Sequence, residues 1–112
     1  MTAPLSPPLA CDLSALTDEE RERHAQLWTH IRTLAPEPAS TPHGIAFSFE
    51  PSTSLATELA ELAALERRCC PFLRISVCFE PAGGPLSFEL GGDEHVRSFL
   101  AAEFGADGVP KA

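Results

Sequence analysis

Between Leu55 and Pro71 the chain has the pattern of an amphipathic helix whose apolar stripe is interrupted by a carboxylate. At roughly 100° per residue, Leu55, Leu59 and Leu62 share one face, and Glu66 falls within about 20° of its centre. Cys69 and Cys70 flank that line, Arg67 and Arg68 point away, and Pro71 ends the helix near Cys70. A carboxylate on an apolar face costs free energy unless it is paired, protonated or bound. Any fold of this chain must therefore pair Glu66, protonate it, bind it to something or kink the helix so that it reaches solvent. Two soft sulfur ligands beside a misplaced acid read as a site.

The remaining pattern is that of one small α+β domain. Thr17 followed by Asp18, Glu19 and Glu20 is a capping box, and the helix it opens runs to about Leu34, before Pro36. Leu27, Trp28, Ile31 and Leu34 form its apolar face, with His24 inside the stripe. Ala35 to Pro42 reads as a Pro-rich loop. Gly44 to Glu50 alternates as a half-buried strand with Ile45, Phe47 and Phe49 inward. Ser52 or Ser54 caps the Glu66 helix. Arg74 to Glu80 is a second strand with Ile75, Val77 and Phe79 inward and Cys78 outward. After the Pro81–Gly84 turn, Leu86, Phe88 and Leu90 face inward on a third, and Asp93 caps a last helix carrying Val96, Phe99, Leu100 and Phe104. The expected order is α-β-α-β-β-α: a three-stranded, split β-α-β-like sheet with its helices on one face. Residues 1–10 read as a Pro-rich lead, 11–105 as the domain and 106–112 as a frayed tail.

Composition narrows the function. A net charge of −8, with Lys111 as the single lysine, argues against nucleic acid or an anionic membrane as partner. No apolar run approaches the roughly 18 residues of a membrane span. Met1 to Ala10 holds three prolines and no basic residue, which is not a secretory signal. The expectation is a cytoplasmic protein with reduced thiols, whose four cysteines are metal-binding or reactive sooner than a disulfide framework, although their spacing matches no zinc finger. An open sheet face is compatible with homodimer formation. There is no glycine-rich phosphate loop, no nucleophile elbow and no zincin helix.

The segment Glu66-Arg67-Arg68-Cys69-Cys70-Pro71-Phe72-Leu73, with Ala10-Cys11-Asp12-Leu13 upstream, resembles a group of small bacterial proteins sharing an E-x-x-C-C-P-F pattern. These are associated with heavy-metal-responsive regulators of the mercury-resistance type. The resemblance implies that Cys11, Glu66, Cys69 and Cys70 belong to one site, and it assigns no reaction.

Three functional readings follow. In the first, Cys69, Cys70 and Cys11 are ligands for a soft metal or metalloid ion, Hg(II), Cu(I), Cd(II), Zn(II) or arsenite, with Glu66 and His24 completing or supporting the shell. Adjacent helical residues diverge by roughly 100°, so both cysteines reach one ion only where the helix loosens at Pro71. In the second, an enzyme uses the cysteines to hold a metal and Glu66 to deliver a proton, as in protonolysis of a carbon–metal bond. In the third, the cysteines only fill space in a structural or regulatory partner domain, Glu66 pairs with Arg32 or Arg97, and His24 is a satisfied core residue. At a helix C-terminus the dipole opposes thiolate, which disfavours thioredoxin-like or peroxidase chemistry.

Overall fold

The computed structural model describes residues 9–105. Most of the lead and all of the tail expected from the sequence lie outside them. After a single 3₁₀ turn at Leu13–Ala15, the elements are α1 (Asp18–Leu34), β1 (Ala39–Ser40), β2 (Gly44–Phe49), α2 (Thr53–Cys69), β3 (Arg74–Phe79), β4 (Leu86–Gly91) and α3 (Glu94–Phe104). The strands form one antiparallel sheet in the order β1-β2-β4-β3. Because β4 is antiparallel to both neighbours, β2 and β3 run parallel, joined by the α2 crossover and split by the inserted β4. The α+β class and the split β-α-β expectation are met.

Local signals set the helix ends. Thr17 accepts the Glu20 amide while Glu20 Oε1 accepts the Thr17 amide, the reciprocal capping box expected of this sequence. Ser52, not Ser54, caps α2 by accepting the Leu55 amide. Cys70 ends that helix with φ −127° and ψ 68°, the extended bias a following proline imposes, although its amide still donates to Glu66 O at 2.7 Å. Asp93 caps α3, and Gly105 closes it at φ 66°, a left-handed conformation suited to glycine.

The helices bury the sheet face that carries Ile45, Phe47, Leu86, Phe88 and Leu90. Phe47 and Phe88 are directly paired across β2 and β4. Trp28 of α1 packs on both, at ring separations of 5.8 and 6.0 Å, and on Phe104 of α3 at 5.5 Å. This cluster joins two helices to the sheet through side chains that the periodicity had assigned inward. Gly44 and Gly91 face each other across β2 and β4, where a Cβ on Gly44 would collide with Leu90 O.

Three expectations need correction, the simplest being Leu34, expected on the apolar face of α1 but 51% exposed at its last residue. The sheet has a fourth strand: Ala39 and Ser40, inside the expected Pro-rich loop, pair with Ala46 and Ile45. A two-residue strand carries no periodicity to read. On β3, Val77 and Phe79 were expected inward but are 37% and 54% exposed. They alternate correctly, yet β3 is the sheet edge, paired only with β4, and the helices do not reach over its far end.

Helices α1 and α2 lie antiparallel, cross-linked by exposed pairs: Arg68 with Glu20 at 2.6 Å, Arg23 bidentate to Glu61 at 2.8 Å for both contacts, and His30 with Glu58 at 2.6 Å. The Arg68 guanidinium first, and then the Thr17 amide, hold the Glu20 carboxyl at about 2, below its ordinary 4.5. A depressed carboxyl pKa stabilises the fold above the unfolded value and loses that effect as pH falls through the folded one. Glu20→Ala is therefore expected to weaken the fold at neutral pH. Its deficit against the parent protein should narrow as pH falls from 4.5 toward 2 in pH-resolved urea denaturation.

Candidate metal and thiol site

Helix α1 presents His24 and Trp28 one turn apart, on the same face, toward the C-terminal half of α2. That geometry answers the requirement posed by Glu66. The Glu66 residue is 4% exposed, and its Oε1 lies 2.7 Å from His24 Nε2 and accepts the Trp28 indole N–H at 2.9 Å. Its other oxygen, Oε2, is 3.8 Å from Cys11 Sγ. Neither Arg32 nor Arg97, the partners considered from sequence, makes this contact: Arg32 donates to Pro36 O and Arg97 to Pro42 O. A buried carboxylate held by hydrogen-bond donors is stable where an unpaired one would not be.

Cys69 and Cys70 occupy different environments, both without solvent exposure. Cys69 Sγ is 3.9 Å from His24 Nε2 and 3.6 Å from the Glu66 carbonyl. Cys70 is disulfide-bonded to Cys11, with Cα atoms 4.7 Å apart and a sequence separation of 59. This corrects the expectation of uniformly reduced cysteines: Cys69 and Cys78 are the free thiols, and Cys11 and Cys70 are a bonded pair. The reason lies in the docking of the segment before the 3₁₀ turn. Asp12 N donates to Cys69 O at 2.7 Å, laying Cys11 over the last turn of α2, while Pro71 forces Cys70 out of helical geometry toward it.

Ligating atoms gather in two groups that share Glu66. Cys11, Glu66 and Cys70 form one, and His24, Glu66 and Cys69 the other, with the atoms of each within 4.8 Å of one another. The structure thus brings together all five residues named from sequence. It does not bring Cys69 and Cys70 into a single group as the looser helix end was expected to do. Both groups combine sulfur with a carboxylate, one adds imidazole, and such groupings could hold a metal ion, the first only with its disulfide opened.

The Cys69 thiol is pushed up to about 11 from its ordinary 9.0, chiefly by burial and then by the Glu66 carboxylate. It is a protonated thiol at neutral pH, a poor nucleophile unless a cation displaces the proton. This agrees with the helix C-terminal argument against thioredoxin-like chemistry. Cys78, expected to be incidental, lies on the opposite sheet face with its Sγ 3.4 Å from Glu80, which raises its pKa. His30, His43 and His95 are exposed, as expected.

Trp28 is the one site residue sequence reasoning missed, having been counted only as core. Its spacing of four from His24 was visible, but not that its indole N–H would meet the acid. The row continues to Arg32, and all three border a cavity of about 510 Å³ that also exposes Cys11 and Glu66. No helix among the described residues is long and apolar enough to cross a membrane. No family model matches the chain, and neither a curated protein nor a solved structure does.

Two stability tests follow. Reducing the Cys11–Cys70 bond removes a cross-link spanning 59 residues, with an expected loss of roughly 4 kcal/mol by loop-closure entropy, to be read from urea unfolding with and without a phosphine reductant. A raised thiol pKa stabilises the fold below the unfolded value and loses that contribution as pH rises through the folded one. With the disulfide intact, the protein is accordingly expected to lose stability between pH 9.0 and about 11, and Cys69→Ala should lack that component of the alkaline loss.

Proposed function

We propose that this chain binds a soft metal or metalloid ion through its thiols, with Cys11, Cys69 and Cys70 as sulfur donors and Glu66 and His24 beside them. The observation that carries the reading is Glu66, a buried carboxylate shared by two groups of ligating atoms that between them contain three sulfurs and an imidazole. The disulfide sets a condition. Cys11 and Cys70 become ligands only after a reductant adds two electrons and two protons to their bond, so the reading belongs to a reducing compartment such as the cytoplasm. Resemblance to bacterial proteins associated with mercury-type regulators points to the same class of ion.

The chemistry favours thiophilic ions over hard ones. Thiolates bind Hg(II), Cu(I), Cd(II), Zn(II) and arsenite, and the cation itself drives off the Cys69 proton that burial otherwise retains. Trp28 and His24 orient the carboxylate as outer partners orient metal ligands generally. The same arrangement supports binding better than turnover. Glu66 is already engaged by two groups on Oε1, leaving Oε2 toward Cys11 as the edge that faces a bound ion.

Native mass spectrometry of the phosphine-reduced protein, titrated with Hg(II), Zn(II), Cu(I) and arsenite, tests the proposal. One tightly held ion per chain is expected, and it should be lost in the Cys69→Ser/Cys70→Ser double variant. Retention of the ion by that variant would sink the idea. Glu66→Gln should weaken binding by about 10–100-fold, the usual effect of altering a ligand's supporting shell. Because Cys69 stays protonated below about 11, apparent affinity should climb through pH 7–9 by about tenfold per pH unit for each proton displaced.

A further inference from the structure

The cavity beside the thiols is larger and more apolar than a bare ion needs. Its volume of about 510 Å³ falls within the range of roughly 300–1,000 Å³ typical of small-molecule sites. Leu9, Leu13, Leu73, Leu90, Phe99 and Phe104 supply much of the wall. The polar groups on it are Cys11, His24, Glu66, Arg32 and Glu103, together with the Trp28 indole. Cys11 is exposed and borders the cavity, whereas Cys69 and Cys70 are fully buried behind it. The site therefore has one exposed cysteine at the edge of an apolar chamber, with two fully buried cysteines that do not line it.

We propose that the ligand of this site is a monoorganic soft-metal species, a thiophilic centre carrying one apolar group of about the size of a phenyl ring. This rests on the soft-metal reading above and goes beyond it by assigning the chamber a purpose. A hydrated inorganic ion gains nothing from leucine and phenylalanine walls, while an aryl group transferred into them is removed from water at a favourable free energy per unit area. The capture step balances simply. A thiol reductant first converts the Cys11–Cys70 disulfide to two thiols. The Cys11 sulfur then forms a bond to the metal of R–Hg–X, the Hg–X bond breaks, and the thiol proton leaves with X. The carbon–mercury bond stays intact. Glu66 Oε2, 3.8 Å from Cys11 Sγ, is positioned to accept the proton in passing.

Phenylmercury and methylmercury form the same single Hg–S bond and differ in the group that the chamber must hold. The reduced protein is titrated with each against a small monothiol competitor, with Hg(II) run in parallel. The expected result is a preference for phenyl over methyl, relative to the competitor, on the order of tenfold for burying a ring. Leu13→Trp, at an exposed position on the cavity wall, should fill the chamber and erase that preference while leaving Hg(II) affinity unchanged. Leu73→Trp provides a second filling variant from another part of the wall, with circular dichroism confirming that each variant is folded. Hg(II) binding without a phenyl preference, or a preference that survives both filling variants, overturns the organic-ligand proposal and leaves the soft-metal reading standing. A parent protein that holds no mercury species overturns both.

Discussion

The hydrogen bonds from His24 and Trp28 to Glu66 hold together most of what distinguishes this domain. A glutamate at the centre of an apolar stripe is tolerable only when another element brings donors to it, and here α1 brings two from successive turns. The same contacts fix how α1 lies on α2. The exposed pairs Glu20–Arg68, Arg23–Glu61 and His30–Glu58 run alongside on the surface, where solvent screening leaves each of them weak. Trp28 links this polar centre to the core, since the ring whose N–H reaches Glu66 also packs on Phe47, Phe88 and Phe104.

Around that anchor the cysteines are arranged by depth. Cys69 is fixed by the helix and kept protonated by its surroundings. Cys70 is turned out of helical geometry by Pro71 and meets Cys11, which arrives from the other end of the described chain. Reduction would free two sulfurs beside a carboxylate, and the side-chain contacts that pair α1 with α2 do not include the disulfide. Such a site, with cysteine, glutamate and histidine grouped together, could hold a metal ion. It suits fast thiol exchange poorly, since that would require a depressed rather than a raised thiol pKa.

Much of this was legible residue by residue. The capping box at Thr17, the alternation in β2 and β4, and the helix end at Pro71 are each encoded within a few positions, and the structure follows them. The wheel that put Glu66 between Cys69 and Cys70 also posed the choice of pairing, protonating or binding it, and the structure pairs it. What failed was of a different kind. Inward alternation on β3 says nothing about whether a helix lies above, so Phe79 remained exposed at the sheet edge. β1 exists only because β2 offers an edge for two residues to pair with.

The sequence by itself determined the element order, the apolar faces and the chemical conflict at Glu66, because periodicity, capping and proline restriction are local and act over one or two helical turns. Only the tertiary structure decided how the conflict is resolved. The meetings of Cys11 with Cys70, 59 residues away, and of Glu66 with His24, 42 residues away, depend on how whole elements pack. Helical spacing shows which side chains share a face, but not which face of another element will lie opposite. For that reason the candidate residues could be named in one dimension, while their division into an exposed cysteine, a buried thiol and a shared carboxylate required three.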